Sequence, residues 1–267
     1  MPIHPTAIVD PQADINPEAD IGPYVVIEGP VRIGPRTRVR AHAYLTGDTI
    51  IGADNVIFPG ALIGLEPQDL AYTEAPTGLR IGDRNVFREH SEVHRATQPD
   101  TWTEIGSDNY LMSHAHVAHN CRVGEHVIIC SGALVAGHVI VGDGAFISGN
   151  CVIHQHVRIG RLAIMRGGSR TSRDVPPFSM IDEAHIVRGL NRTGLRRAGF
   201  DAARTRALAT AFRILFRVRA NLGAAMTRVE SEVRSPDVDE LLAFIRASRH
   251  GVAMGPAHGR EAVDGDD

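Results

Sequence analysis

Eleven aliphatic residues stand at a strict spacing of six from the third residue onward: Ile3, Val9, Ile15, Ile21, Ile27, Ile33, Val39, Leu45, Ile51, Ile57 and Ile63. A second run keeps the same register through Leu111, Val117, Val123, Ile129, Val135, Val141, Ile147 and Ile153. A helix repeats every ~3.6 residues and an open strand every ~2, so neither produces a period of six. A coil of three short β-segments does, because one inward aliphatic per flat face then recurs at every sixth residue. Gly, Asp, Asn and Pro crowd between the aliphatics (INPEAD, IGPYVV, IGPRTR, IGADNV), as tight turns between short segments require.

This frame dictates which residues meet. Residues three hexads apart stack one strand spacing apart, about 4.8 Å. His119, Gly137 and Gln155 therefore form one column, and Asn120, His138 and His156 form the next. The stretch from Tyr110 to His156 holds seven of the fourteen histidines, so the column lies in a histidine-rich segment. A histidine, a residue without a side chain and a carboxamide thus come within reach of one small ligand. His116, His119 and Val139 are expected around one outward region that needs a partner or water.

Two stretches interrupt the hexads. Residues 65–80 (LEPQDLAYTEAPTGLR) and 96–104 (ATQPDTWTE) read as excursion loops, with Ile81, Phe87 and Val93 in register between them and Ile105 after them. Loops thrown out of a rigid solenoid are the usual carriers of ligand contacts. The register ends near Met165, a basic stretch follows (RGGSRTSRDVPPF), and the pattern then turns helical. Asp201 is a cap candidate before Leu208, Ala211, Phe212 and Leu215; Ser235 and Pro236 open a further helix that Gly251 closes. The expected organisation is a β-coil over residues 1–186, a helical domain over 187–251 and a disordered tail over 252–267.

Composition excludes several classes. The 28 basic residues, all Arg, are offset by 31 acidic ones, a net charge of −3 that argues against general nucleic-acid binding. The absence of Lys excludes a Schiff-base mechanism. Cys121, Cys130 and Cys151 lack CxxC spacing and read as small buried residues of a reducing compartment. MPIHPTAIV has neither a basic nor an apolar leader region, and no apolar run approaches the ~20 residues of a membrane span. A cytoplasmic location with no integral membrane segment is expected.

QDLAY (68–72), VHRAT (93–97), IGSDNYLM (105–112), HAHVAHNC (114–121), LVAGHV (134–139), IHQH (153–156), DVPPF (174–178) and GLRRAGF (194–200) together resemble the acyl-carrier-protein-dependent UDP-N-acetylglucosamine O-acyltransferases that begin lipid A biosynthesis. The resemblance covers residues 3 to 248, with both excursions and the helical end in order. It implies an all-β left-handed parallel β-helix with a C-terminal α-helical domain, assembled as a homotrimer with sites in clefts between subunits. It also implies transfer of a 3-hydroxyacyl group from acyl carrier protein to the glucosamine 3-hydroxyl of UDP-N-acetylglucosamine, with no cofactor and no metal. By position, His119 matches the general base and Gly137 the backbone amide that holds the oxyanion. His116, His138 and Gln155 match the polar shell, while Gln68, Asp69 and His154 match substrate contacts. Asn191 and Arg197 match residues that engage the nucleotide and phosphates, and His185 and Gly167 flank the acyl tail.

These residue types suit that chemistry. A sugar hydroxyl is a poor nucleophile near neutral pH, and an imidazole can take its proton as the bond forms. A fixed backbone N–H stabilises the negative oxygen of a tetrahedral intermediate by about 3 kcal/mol. An Arg fork suits pyrophosphate. His114, His126 and His156 read instead as solvated or hydrogen-bonded surface residues. Fourteen Arg against four acids between Arg158 and Arg219 read as a patch that steers an acidic carrier protein.

The chain departs from the family at Asn120, where an Asp follows the base, at Ala71 and Ala198, where Lys and Arg are usual, and at Thr193, where an acid is usual. On the residues alone the alternatives are N-acylation of a 3-amino sugar, a catalytically inactive binding protein, and a metal enzyme built on His114 and His119. The last lacks a third ligand, since no His stands between residues 95 and 113.

Overall fold

Each hexad forms one short strand, and the strands build three sheets of nine, eight and ten members. The computed structural model describes residues 3–218 and 221–256. Strands of successive coils pair in parallel, Ile8 with Val26, His116 with Leu134 and Leu134 with Val152. At the interruptions the ladder skips without breaking: Ile63 pairs with Val93, and Val93 with Val117. The architecture is a left-handed parallel β-helix. The excursions are shorter than the sequence suggested, because Leu62–Leu65, Gly78–Ile81 and Trp102–Ile105 are strands and leave only residues 66–77 and 95–101 outside the sheets.

The hexad aliphatics fill the coil, with Ile27, Ile63, Phe87, Leu111 and Val135 fully buried. Burying such a side chain contributes about 1.5–3 kcal/mol. A second inward position lies two residues earlier and takes small groups: Val25, Ala61, Ala115, Cys121, Ala133, Val139, Ala145 and Cys151. Val139 therefore points into the coil, not to the outward region expected for it. Cys121 and Cys151 are buried as expected, and burial pushes the Cys121 thiol up to about 12. Cys130 is only half-buried.

Corner chemistry explains much of the histidine content. His90, His114, Asn120, His126, His138 and His156 all have φ near +60° at successive coil corners. Asn, Asp and His tolerate this left-handed region better than other residues with a Cβ. Corner rings also stack from coil to coil, His90 on His114 at 5.2 Å and His138 on His156 at 4.6 Å between centroids.

A polar column runs through part of the interior. Asn85 Nδ2 donates to Asn55 Oδ1 at 3.0 Å, Asn109 N to Asn85 Oδ1 at 2.9 Å, and Val127 N to Asn109 Oδ1 at 2.7 Å. All three asparagines are buried.

The coil domain extends further than residue 186. Ile186–Leu190 pairs antiparallel with Ser179–Asp182, so the ten-stranded sheet ends at Leu190 and the first helix begins at Arg192. Among the described residues four helices follow: α1 (Arg192–Arg197), α2 (Ala202–Phe216), α3 (Leu222–Glu232) and α4 (Pro236–Arg246). Asp201 caps α2 by accepting from Arg204 N at 2.8 Å, whereas Ser235 makes no side-chain cap bond to α4.

The tail expected to be disordered from residue 252 begins as packed chain. Val252 bridges Asp174 and Met254 bridges Ile186, with Val252 and Ala253 buried. The apolar run Val252–Met254 carries enough side chain to seal a strand edge; residues 257–267 lie outside the described residues. DVPPF is structural here: buried Asp174 accepts from Arg158 N at 2.8 Å and Arg158 Nε at 2.9 Å, and Arg158 Nη2 donates to the Phe244 carbonyl of α4 at 2.9 Å, which ties the last coil to the helices. No described helix is long and apolar enough to cross a membrane.

Asn85→Ala removes one rung of the buried column and leaves neighbouring polar groups without partners. It should destabilise the fold by about 1–3 kcal/mol, read by chemical denaturation.

Candidate active site

Both excursions leave from the same corner of the coil, the one joining the nine-stranded sheet to the eight-stranded sheet. His119, Gly137 and Gln155 occupy that corner on successive coils, between His116–Val117 and Arg122–Val123 and at the levels above. The loops therefore rise beside the histidine column, and Asp69 Oδ2 comes 3.9 Å from His119 Nε2.

Asn120 fixes the state of the His119 ring. Its Oδ1 accepts from Thr97 N at 3.1 Å and Thr97 Oγ1 at 2.8 Å, and its Nδ2 donates to Thr101 Oγ1 at 3.2 Å. His119 Nδ1 lies 3.0 Å from the same Oδ1. A carboxamide oxygen only accepts, so Nδ1 carries the proton and Nε2 offers a lone pair to the cleft. That is the tautomer a general base needs.

Gly137 lies directly over the ring. A Cβ built there would stand 2.4 Å from His119 Cε1 and 2.6 Å from Nε2, so any side chain displaces the imidazole. Among the described residues the Gly137 N–H has no acceptor, while its carbonyl accepts from His156 N at 3.0 Å. His138 meets His119 edge-on at 5.2 Å. Burial first, and then the nearby His156 and His119, hold its pKa below the ordinary histidine value, which keeps it neutral.

A cleft of ≈ 530 Å³ opens on this column. Gln68, His116, His119, Gly137, His154 and Gln155, all singled out in the sequence, line it. Leu134 and Val152 add an apolar strip that faces outward, 46% and 47% exposed. His116 Nδ1 stands 3.2 Å from Glu92 Oε2, and His154 Nδ1 stands 3.2 Å from the Gln155 carbonyl. His94, fully inside the same cleft wall, received no role from the sequence although VHRAT contains it. Thr97 and Thr101 were missed too: Thr97 closes the VHRAT motif without a role of its own, and the only signal of Thr101 is membership of an excursion.

Other expected residues lie elsewhere on the chain. Asn191, Thr193, Arg197 and Ala198 line a second cleft of ≈ 780 Å³ over Phe146 and Ile164 of the ten-stranded sheet. One chain does not bring Asn191 and Arg197 to His119. Asn191 is also fully engaged, accepting from Gly194 N at 2.9 Å and donating to the Leu162 carbonyl at 2.8 Å as the cap of α1. His126, expected to be a plain surface residue, lines this second cleft. His114 stacks on His90 at a different corner, so it does not converge with His119.

Gly167 is exposed beyond the column, and His185 Nδ1 accepts from Ser172 N at 3.2 Å. Burial and the adjacent Arg173 and Arg170 hold the His185 pKa below its ordinary value. The basic patch is smaller than the count implied, since Arg158, Arg161, Arg166, Arg188 and Arg204 are each paired with a carboxylate. Arg170 and Arg173 make no ion pair among the described residues.

Known proteins are similar to this chain along most of its length. Residues 174–253 match the second domain of the UDP N-acetylglucosamine O-acyltransferase family, and residues 103–137 match the bacterial transferase hexapeptide family of six repeats. An acyl-[acyl-carrier-protein]–UDP-N-acetylglucosamine O-acyltransferase of Syntrophobacter fumaroxidans is 43% identical over 256 residues, covering 94% of this chain and 99% of that one. The crystal structure of a UDP-N-acetylglucosamine acyltransferase from Bacteroides fragilis superposes with a TM-score of 0.89 at 36% identity, covering 94% of this chain and 99% of that one. The enzyme from Francisella novicida superposes with a TM-score of 0.90 at 30% identity, covering 95% and 94%.

Proposed function

Because the chain belongs to the UDP-N-acetylglucosamine O-acyltransferase family, we propose that its histidine cleft moves a 3-hydroxyacyl group from acyl carrier protein to the glucosamine 3-hydroxyl of UDP-N-acetylglucosamine. This is the first step of lipid A biosynthesis, and in this reading the enzyme meets its carrier-protein donor in the cytoplasm. The observation that carries the reading is the pairing of His119, held in the base tautomer by Asn120, with the unengaged N–H of Gly137 one coil away.

The bond changes follow from that pair. His119 Nε2 takes the proton of the 3-hydroxyl as its oxygen attacks the thioester carbonyl. The carbonyl oxygen becomes an oxyanion held by the Gly137 N–H. Collapse expels the carrier thiolate, which recovers the proton from His119. Substrates and protein account for every bond, so no cofactor enters. Gln68, Asp69, His154 and Gln155 surround the sugar in this reading, and Gly167 and His185 flank the acyl tail.

Two separated clefts support a homotrimer. The Leu134–Val152 strip on one face and the Arg197 cleft on another would meet only between neighbouring copies, with Asn191 holding α1 and Arg197 reaching the phosphates. Light scattering at micromolar concentration should give three times the chain mass. A fully active monomer would refute the shared site.

The reaction itself is tested by mass spectrometry of the product from UDP-N-acetylglucosamine and a panel of 3-hydroxyacyl carrier proteins. Formation of the O-acylated nucleotide sugar is expected; transfer only to a 3-amino sugar would move the acceptor to the alternative class. His119→Ala should lose at least ~10² in kcat, the lower range for a general base, while His114→Ala stays near wild type. Asn120→Asp should shift the acidic limb of the kcat/KM profile upward, because a carboxylate favours the protonated ring.

Arg170 and Arg173 lie where an acidic carrier would approach. Replacing both by Glu should raise KM for the acyl donor, weaken or reverse its salt dependence and leave KM for the nucleotide sugar little changed. Equal use of acyl-coenzyme A by the wild type, with no salt effect, would assign the patch another purpose.

A further inference from the structure

A buried ring nitrogen in the wall of the histidine cleft has no partner. His94 is 2% exposed, and its Nε2 makes no hydrogen bond to the protein. Its Nδ1 stands 2.5 Å from the Glu66 carbonyl, which can only accept, so Nδ1 bears the proton and Nε2 presents an unprotonated lone pair. A backbone carbonyl fixing one ring nitrogen so that the other can bind is the usual arrangement behind a metal-ligating histidine. Leaving such a nitrogen buried and unmatched otherwise costs stability.

Two further donors surround it. Glu92 Oε2 lies 3.9 Å from His94 Nε2 and 3.2 Å from His116 Nδ1, and one ligand atom from each of the three residues falls within 4.8 Å of the others. Ligands about 2.0–2.1 Å from a tetrahedral ion stand roughly 3.3–3.5 Å apart, so the two imidazoles must approach by no more than about 1.5 Å and Glu92 must close on His94 by about half an ångström. Glu92 is half-buried at the open edge of the site, and its long side chain can make that adjustment. The cleft supplies an entry path on the His94 and His116 side.

We propose that His94, Glu92 and His116 form a site for a zinc-class divalent ion in the wall of the cleft, with a fourth position open to it. Two imidazoles and one carboxylate suit zinc or cobalt better than magnesium or calcium, which favour all-oxygen sets. The ion is not part of the transfer chemistry, which His119 and Gly137 carry out. Its occupancy draws Glu92 and His116 toward His94 in the wall of the cleft and places a positive charge beside the position where the imidazolium forms. Resting on the function proposed above, this makes the ion an inhibitor.

Titration of untagged, chelator-treated full-length protein with Co²⁺ tests the site without reference to activity. Visible absorption of a four-coordinate ion should saturate at one Co²⁺ per chain and be displaced by Zn²⁺. Glu92→Gln, at the exposed edge where folding is not at risk, and His94→Asn should each weaken binding at least about tenfold, the lower bound for losing even an outer partner of a ligand. His114→Ala should not. Absent absorption, or absorption unchanged in Glu92→Gln, overturns the site. Stoichiometric Zn²⁺ should slow acyl transfer by the wild type but not by Glu92→Gln, each compared with its own metal-free rate. Saturated binding with an unslowed wild type overturns the inhibitory role alone.

Discussion

The hydrogen-bonded rise from one coil to the next is the constraint on which the site depends. His138 N donates to the His119 carbonyl at 2.9 Å, and His156 N donates to the Gly137 carbonyl at 3.0 Å. These bonds hold successive corners one strand spacing apart, whatever side chains they carry. The His119 ring on one coil and the Gly137 amide on the next are thereby fixed at the separation that the proposed base and oxyanion donor require. The same fixity makes the position above His119 intolerant of a Cβ, because the ladder leaves neither coil free to move away. Gly137 is thus required twice, as space for the ring and as a bare amide.

Strain at the corners is the counterpart of that regularity. Residues with a Cβ in the left-handed region cost about 1–2 kcal/mol each, and the chain places one at nearly every corner. Buried aliphatics at the hexad positions, with a second set of small residues beside them, offset it. The excursions add a different kind of order. They emerge from one corner only and return hydrogen bonds to it, as Thr97 and Thr101 do to Asn120. A surface loop thus becomes the element that selects the tautomer of the base.

The repeating frame was legible because a period of six has one structural solution, and the His119–Gly137 column followed from it by counting. What escaped had no period. Val139 was expected on an outward region and the Asn55–Asn85–Asn109 column was not foreseen, since the sequence marks the hexad aliphatic more strongly than the small or polar residue beside it. His94 went unassigned because its tautomer depends on the Glu66 carbonyl, delivered by an excursion. Asn191 and Arg197 were grouped with His119 by resemblance, yet position along the chain does not say which face of a three-sided prism a residue meets. The arginine count overstated the basic surface for a related reason, since Asp174, Asp182, Glu183, Asp237 and Glu240 neutralise five of its members.

In the proposed mechanism, the neutral residue behind His119 alters how charge is managed during transfer. Asn120 orients the His119 ring but adds no full negative charge when the ring becomes imidazolium. Asp69 stands on the opposite side, its Oδ2 3.9 Å from Nε2, where the proton arrives. Coulomb attraction at that distance is several-fold stronger in a partly buried cleft than in water. His138 completes the arrangement by staying neutral, so no second positive charge meets the ring edge-on. Compensation therefore comes from the excursion loop at the mouth of the cleft and not from the residue behind the ring. A carboxylate in that position can also contact the sugar, so a bound acceptor would align the charge that stabilises the imidazolium with the proton it gives up.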